Sequence, residues 1–300
     1  MSTPKGESID RPLRVAVQGE PGCFSHAAAL EHYRTLEPHD ALELVPCRGF
    51  DELFAAVLDG RADRGCVPVE NALHGAVSEN LDLLVHHPLC AVAEVYLRVE
   101  MCLAVRPGST LDAVRRVGSH PVALRQCRRF FSEHAGLEEL VAHDTAGSIR
   151  DLMNDPAVRW NGAIGPALAA ELYGAEVALR GIEDHARNYT RFLIVARDGE
   201  AVGENAVTAE VAAAGLKATL AFTLPHRPGA LHQAIGVFAA EALDLTRLES
   251  RPIAGRPWEY RFHVDVRGAS GAAWDRAMIG LDRLSDGVRV IGRYPEVSPP

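Results

Sequence analysis

The chain has no cluster of lysine and arginine, and its formal net charge is −9. The positive field that nucleic acid or an anionic membrane requires is missing, so neither is an expected partner. A small anion remains compatible, provided the positive potential is local. No CxxC pair occurs among the six cysteines, Cys23, Cys47, Cys66, Cys90, Cys102 and Cys127. They indicate neither a zinc pattern nor a disulfide framework, and read as buried reduced thiols. No run approaches the roughly 18 uninterrupted apolar residues of a membrane span. The opening stretch, Met1 to Pro12, is polar and lacks the apolar core of a signal peptide, so a cytoplasmic location is expected. HExxH, P-loop, GxGxxG and GxSxG patterns are absent as well. Metalloprotease, nucleotide-binding and serine-hydrolase chemistry is left without support.

What is present is an ordinary soluble composition, 47% apolar and 24% charged over 300 residues, with room for two domains or a bilobed unit plus a small module. The first two-thirds alternates short β-like runs with helical patterns: Leu13 to Val17 extended, a helix from Ser25, Phe50 to Leu58 helical, Cys66 to Val69 extended, Val77 to Val85 helical. Ala91 to Val105 reads as two strands or one bent strand, Pro121 to Phe131 as a helix with Pro at its first position, and Ser148 to Met153 as another. Ala163 to Gly165 is strand-like, and a helix from Pro166 stops at Gly174. This alternation predicts α/β layers with a largely parallel sheet in two lobes. After an Ala/Gly/Glu-rich stretch the pattern changes to β-α-β-β-α-β, a ferredoxin-like unit. The expected division is a two-lobed domain over 12–197, a linker over 198–216 and a small module over 217–297.

Three features carry potential chemistry. Asn188-Tyr189-Thr190-Arg191-Phe192 sets a hydroxyl and a guanidinium side by side at the start of an apolar run. Such a pair can serve an oxygen-rich anion, or Thr190 can simply begin a strand while Arg191 reaches water. Pro68 to Val77 places Glu70 and Asn71 between a strand and a turn containing Gly75. Glu70 can position a proton donor and Asn71 can hold a carboxylate or hydroxyl, or Asn71 and Gly75 merely shape the turn. Ser25, Ser78, His120-Pro121, Asp144-Thr145 and Gly165-Pro166 all look like helix N-termini, which bind anions through backbone N–H groups and the helix dipole. Taken singly, each is more simply a cap.

Several segments in order resemble the prephenate dehydratase family. Gly22-Cys23-Phe24-Ser25-His26-Ala27-Ala28 is similar to its GTFSHxAA stretch, and Pro68 to Val77 with Leu81-Asp82-Leu83-Leu84 to its PIENSxxGxV…DLL segment. Ser119 to Cys127 resembles SHPQALxQC, and Asn188 to Phe192 matches NxTRF. In the last module Gly229-Ala230-Leu231 and Glu249-Ser250-Arg251-Pro252 resemble the GAL and ESRP motifs of the family's regulatory ACT domain. Two departures stand out: Ala72 where the family has Ser, and Cys23 where it has Thr.

The resemblance implies a two-lobed, periplasmic-binding-protein-like catalytic domain followed by an ACT domain. It implies decarboxylative dehydration of prephenate to phenylpyruvate without cofactor or metal, feedback control by phenylalanine, and a homodimer or homotetramer. By motif match Thr190, Arg191 and Phe192 are catalytic: Thr190 a positioned donor to the departing hydroxyl, Arg191 a carboxylate holder, Phe192 a dry wall beside the ring. Ser25, Glu70, Asn71, Gly75, His120 and Thr145 are expected at the substrate, and Gly229, Ala230, Leu231, Glu249, Ser250, Arg251 and Pro252 at the effector. Arogenate dehydratase and a non-catalytic amino-acid sensor are the alternatives.

Overall fold

The computed structural model describes residues 11–34, 42–199, 215–253 and 255–298. Most of the expected linker, residues 200–214, lies outside the described residues. The chain divides into two compact units that do not follow chain order. One is formed by Ile9–Ala76 and Val95–Phe192, the other chiefly by Val77–Glu94 and Leu193–Pro300.

In the first unit, β1 (Leu13–Gln18), β2 (Leu42–Cys47) and β3 (Arg64–Asn71) pair in parallel with β1 central. Val15, Ala16 and Val17 are fully buried, the continuous apolar run of a parallel strand covered on both faces. α1 (Phe24–Tyr33) and α2 (Phe50–Leu58) supply the crossovers. The two-residue strand β4 (Gly75–Ala76) folds back on β3.

A second sheet in this unit is built from β6 (Cys102–Val105), β7 (Arg116–Ser119), β8 (Glu138–Val141), β9 (Gly162–Gly165) and β10 (Glu176–Arg180), in the order β10-β6-β9-β7-β8. β7 runs parallel to both β8 and β9, whereas β6 is antiparallel to β9 and β10, so the sheet is mixed. α4 (Pro121–Arg125), α5 (Arg128–Glu133), α6 (Thr145–Asn154) and α7 (Ala167–Tyr173) accompany it. Leu103, Val117, Leu124, Phe130 and Ile164 share its core.

Some expectations change here. The single helix over 121–131 is two, because Asp184 caps a fresh start: its carboxylate accepts from Arg128 N at 3.1 Å and Arg129 N at 2.8 Å. α6 begins at Thr145 with Asp144 as its N-cap, where the Asp144-Thr145 start was expected, so the helix read from Ser148 is longer by three residues at its start. Strands β2, β7, β8 and β10 were not anticipated. β7 and β8 are four residues long and β8 is mostly exposed, which leaves too little alternation to read.

β5 (Leu89–Arg98) and β11 (Tyr189–Arg197) run from one unit into the other. In the second unit, β12 (Leu216–Thr223), α8 (Ala230–Ala240), β13 (Asp244–Pro252), β14 (Tyr260–Arg267), α9 (Gly271–Leu284) and β15 (Gly287–Pro295) follow in turn. Their antiparallel order β13-β14-β12-β15 is the ferredoxin-like arrangement. Phe222, Phe238, Val264, Trp274 and Leu281 fill the space between strands and helices. α3 (Ser78–His86) and the start of β5 belong to this unit too. β15 meets β5 at Gly292 opposite Ala91, and a Cβ on Gly292 would fall 2.1 Å from the Ala91 carbonyl oxygen. A buried ion pair, Lys217 Nζ to Glu94 at 2.9 Å, closes the same region.

Candidate active site

The carboxyl ends of the parallel strands in the first unit are where an α/β fold gathers ligand groups. β1 leads into the loop Gly19–Gly22, β2 into Arg48, β7 into His120 and β8 toward Asp144. A cleft of about 750 Å³ opens among these ends, its wall including Ser25, Arg48, His120, Asp144, Thr145 and Arg150.

The electrostatics of that wall follow from who is already paired. Asp144 spans two elements: one oxygen accepts from Glu20 N at 3.1 Å, the other from Ala146 N at 3.1 Å as the cap of α6. Thr145 turns its hydroxyl toward Asp144 at 3.4 Å. Arg150 binds Asp151 at 2.8 Å and also Glu20. The three carboxylates of the cleft are therefore committed. Arg48 is exposed on the rim, with no ion pair among the described residues. His120 caps α4, its Nδ1 accepting from Val122 N at 3.2 Å. The proton then sits on Nε2, which becomes a donor. Burial lowers the His120 pKa, outweighing the pull of Asp144, so the ring is neutral near pH 7. Cys23 precedes α1 without capping it, and burial pushes its thiol up to about 12. A weak, neutral donor stands there.

A second group forms where the end of β3 meets the start of β11, joined by Ala72 N donating to Tyr189 O at 2.8 Å. Asn71 is its hub. Its Oδ1 accepts from the backbone N–H of Leu73 and of His74, both at 3.0 Å, holding the turn. Its Nδ2 donates to Asn188 Oδ1 at 2.8 Å and to Thr190 Oγ1 at 2.9 Å. Thr190 accepts from Asn71, so its own hydroxyl proton is not spent in that bond. Gly75, at φ +76°, shapes the turn and offers only backbone. Gln126 reaches the same turn, 3.0 Å from His74 Nε2.

Arg191 departs from the side-by-side expectation. Consecutive strand residues face opposite ways, so Thr190 shares a face with Phe192 and not with Arg191. The Arg191 side chain is 3% exposed and lies 3.8 Å from Glu70. Burial keeps the guanidinium away from open solvent, beside Glu70. Phe192 is fully buried. The structure thus brings Glu70, Asn71, Gly75 and the Thr190–Phe192 segment together, and sets Ser25, His120 and Thr145 in the cleft wall. Sequence reasoning quoted Asn188 in its motif without a role of its own, and missed Arg48 and the bridge made by Asp144. Asp144 had a signal, since it precedes a helix, but its second bond crosses 124 residues.

In the second unit the motif residues divide in the same way. Ser250 and Pro252 register with Phe262 and Tyr260 of β14. Those two rings line a small pocket of about 120 Å³ with Trp258, Ala230 and Leu231. Gly229, at φ +79°, starts α8 beside it. Glu249 and Arg251 point the other way. Glu249 accepts from Ser78 Oγ at 2.9 Å and Arg251 binds Asp82 at 3.2 Å, both on α3. His263 is buried under the same pair, and burial first, then Arg247, lower its pKa to about 4. Among the described residues no metal-binding cluster occurs, and no helix is long and apolar enough to cross a membrane.

Comparison with known proteins supplies the remaining constraint. The family model described as prephenate dehydratase matches residues 15–200. An Arabidopsis thaliana arogenate dehydratase/prephenate dehydratase is 35% identical over 94% of this chain and 73% of its own length. A bifunctional N-acyl-homoserine lactone acylase/prephenate dehydratase of Komagataeibacter europaeus is 36% identical over 94% of this chain and 95% of its own. The crystal structure of an Arthrobacter aurescens prephenate dehydratase in complex with L-Phe superposes with a TM-score of 0.81 at 30% identity, covering 95% of this chain and 90% of that one.

Proposed function

Because the chain belongs to the prephenate dehydratase family and is a carbon–oxygen lyase of prephenate or arogenate type, we propose that its substrate is prephenate and its product phenylpyruvate. The observation that carries this reading is the Asn71–Thr190 bond, 2.9 Å long, which leaves the Thr190 proton free to donate. Prephenate bears two carboxylates and a ring hydroxyl. The ring C–O bond breaks while the bond to the ring carboxyl group releases carbon dioxide, and its electron pair completes the aromatic ring. The departing hydroxyl takes up one proton and leaves as water, so one proton is consumed for each carbon dioxide released. Thr190 is a poor acid by pKa. It acts instead as a fixed donor where negative charge grows on the leaving oxygen.

The cleft supports a keto acid over an amino acid. Glu20 and Asp151 are paired with Arg150, and Asp144 is spent on a cap, so no wall carboxylate is uncommitted to receive the ammonium of arogenate. Arg48 offers an uncommitted cation and His120 a neutral donor to a dianion. Ser25 and Thr145 complete that wall. Phe192 backs Thr190, while Arg191 steadies Glu70.

We extend the reading to an ACT-type second unit that binds L-phenylalanine at Gly229, Ala230 and Leu231 with Ser250 and Pro252, in a cytoplasmic homodimer or homotetramer. The apolar pocket lined by Trp258 and Tyr260 supports the effector assignment. Incubation with prephenate and, separately, arogenate tests the substrate: faster appearance of phenylpyruvate from prephenate is expected. Faster phenylalanine formation from arogenate would reverse the preference, and no aromatic product from either would end the enzyme reading.

A further inference from the structure

Resting on the dehydratase reading above, we infer that Asn188 is a positioning residue that sets the direction of the Thr190 hydroxyl. Asn188 precedes β11, its carbonyl accepts from Val99 N at 2.8 Å, and the residue is 1% exposed. Its Oδ1 accepts at 2.8 Å from Asn71 Nδ2, the same nitrogen that donates to Thr190 Oγ1.

The orientation of each group is forced by its neighbour. Asn71 cannot turn its amide over, because its oxygen is held by two backbone N–H groups of the following turn. Its nitrogen carries two protons. One is directed to Asn188 and one to Thr190, while Tyr189 O at 3.3 Å shares the approach. Asn188 cannot turn over either, since its nitrogen would then face the nitrogen of Asn71. The consequence is visible: Asn188 Nδ2 is buried without a hydrogen-bond partner. A side chain serving packing alone has no reason to strand a donor in this way. The orphan follows from the oxygen being required where it is. Removing that oxygen frees one of the two Asn71 protons, and the amide can then swing away from Thr190. Thr190 Oγ1 would then lose the N–H that fixes it as an acceptor, and its proton would no longer be directed to the ligand.

Steady-state kinetics with prephenate test this. Asn188→Ala is expected to lower kcat about 10- to 100-fold with KM within about threefold, the pattern of a misdirected group rather than of lost binding. Asn188→Asp, which keeps an acceptor oxygen in place, recovers part of that loss. In a Thr190→Val background, Asn188→Ala adds less than about twofold, because Asn188 acts only through that hydroxyl. Multiplying losses in the double variant, or an intact kcat in Asn188→Ala, overturns the inference. If the alanine variant does not fold, Asn188→Asp decides alone: a kcat as low as that of Thr190→Val refutes it. Normal turnover by Thr190→Val is a separate outcome, and it refutes the Thr190 reading on which this one stands.

Discussion

Thr190→Val isolates the hydroxyl proposed as the proton donor with little structural damage. Valine keeps the β-branched shape that suits a strand and deletes only the oxygen. Asn71 Nδ2 loses its 2.9 Å acceptor but retains Asn188 Oδ1 at 2.8 Å and Tyr189 O at 3.3 Å. No buried donor is orphaned, so the stability cost is that of one ordinary hydrogen bond, about 0.5–1.5 kcal/mol. Losing a positioned donor in the transition state is far larger, roughly 10²–10⁴-fold in turnover, or about 3–5 kcal/mol in the barrier. The two magnitudes separate cleanly. Phenylpyruvate formation at saturating prephenate, followed alongside thermal melting, should show a small shift in Tm and a collapse in kcat. Thr190→Ser, which restores the hydroxyl, should regain most of the rate. Turnover within about fivefold of the native rate in Thr190→Val, less than the catalytic term allows, would remove Thr190 from the chemistry. A serine variant as slow as the valine one would show that shape, not the proton, is what matters.

Two further outcomes concern stability and control. Asp63 accepts from Arg11 at 2.7 Å twice and from the Arg14 backbone at 3.0 Å. Burial alone would raise its pKa, but the two arginines hold it well below the usual carboxylate range. A depressed carboxyl stabilises the fold above the unfolded value, near pH 3.9, and the contribution is lost as pH falls below it. Asp63→Asn should therefore cost about 2–3 kcal/mol near neutrality, less than a fully buried pair because Arg11 is half exposed. Denaturation curves at decreasing pH should show that gap close below about pH 4, and a gap independent of pH would contradict the assignment. Asp82 binds Arg251 at 3.2 Å and lies 3.6 Å from His263, on the helix that directly follows the Glu70–Ala76 segment. Asp82→Ala should raise the half-inhibitory phenylalanine concentration at least about fivefold, the low end of a typical coupling free energy, while uninhibited turnover stays native. An unshifted inhibition curve would locate the coupling outside α3.

Much of the architecture was legible in the chain. The apolar run of β1, the helix over Phe50–Leu58 and the β-α-β-β-α-β pattern after residue 215 all appear where periodicity put them. Four-residue strands such as β7 and β8 did not, because two alternations cannot be told from chance. The site shows a more instructive failure. Residues that adjoin in a motif were read as acting together, yet the strand period of two sends neighbours to opposite faces. Thr190 meets Asn71 while Arg191 meets Glu70, and Ser250 faces β14 aromatics while Glu249 and Arg251 face α3. In both segments the two faces meet different partners within the protein. A motif on a strand is thus two interleaved half-motifs. Substitutions at Thr190 and Ser250 should change chemistry or effector response directly. Those at Arg191, Glu249 and Arg251 should act through the frame, with stability falling alongside. Asn188 escapes even this rule, because its partner Asn71 is 117 residues away and only the folded chain brings the two amides together.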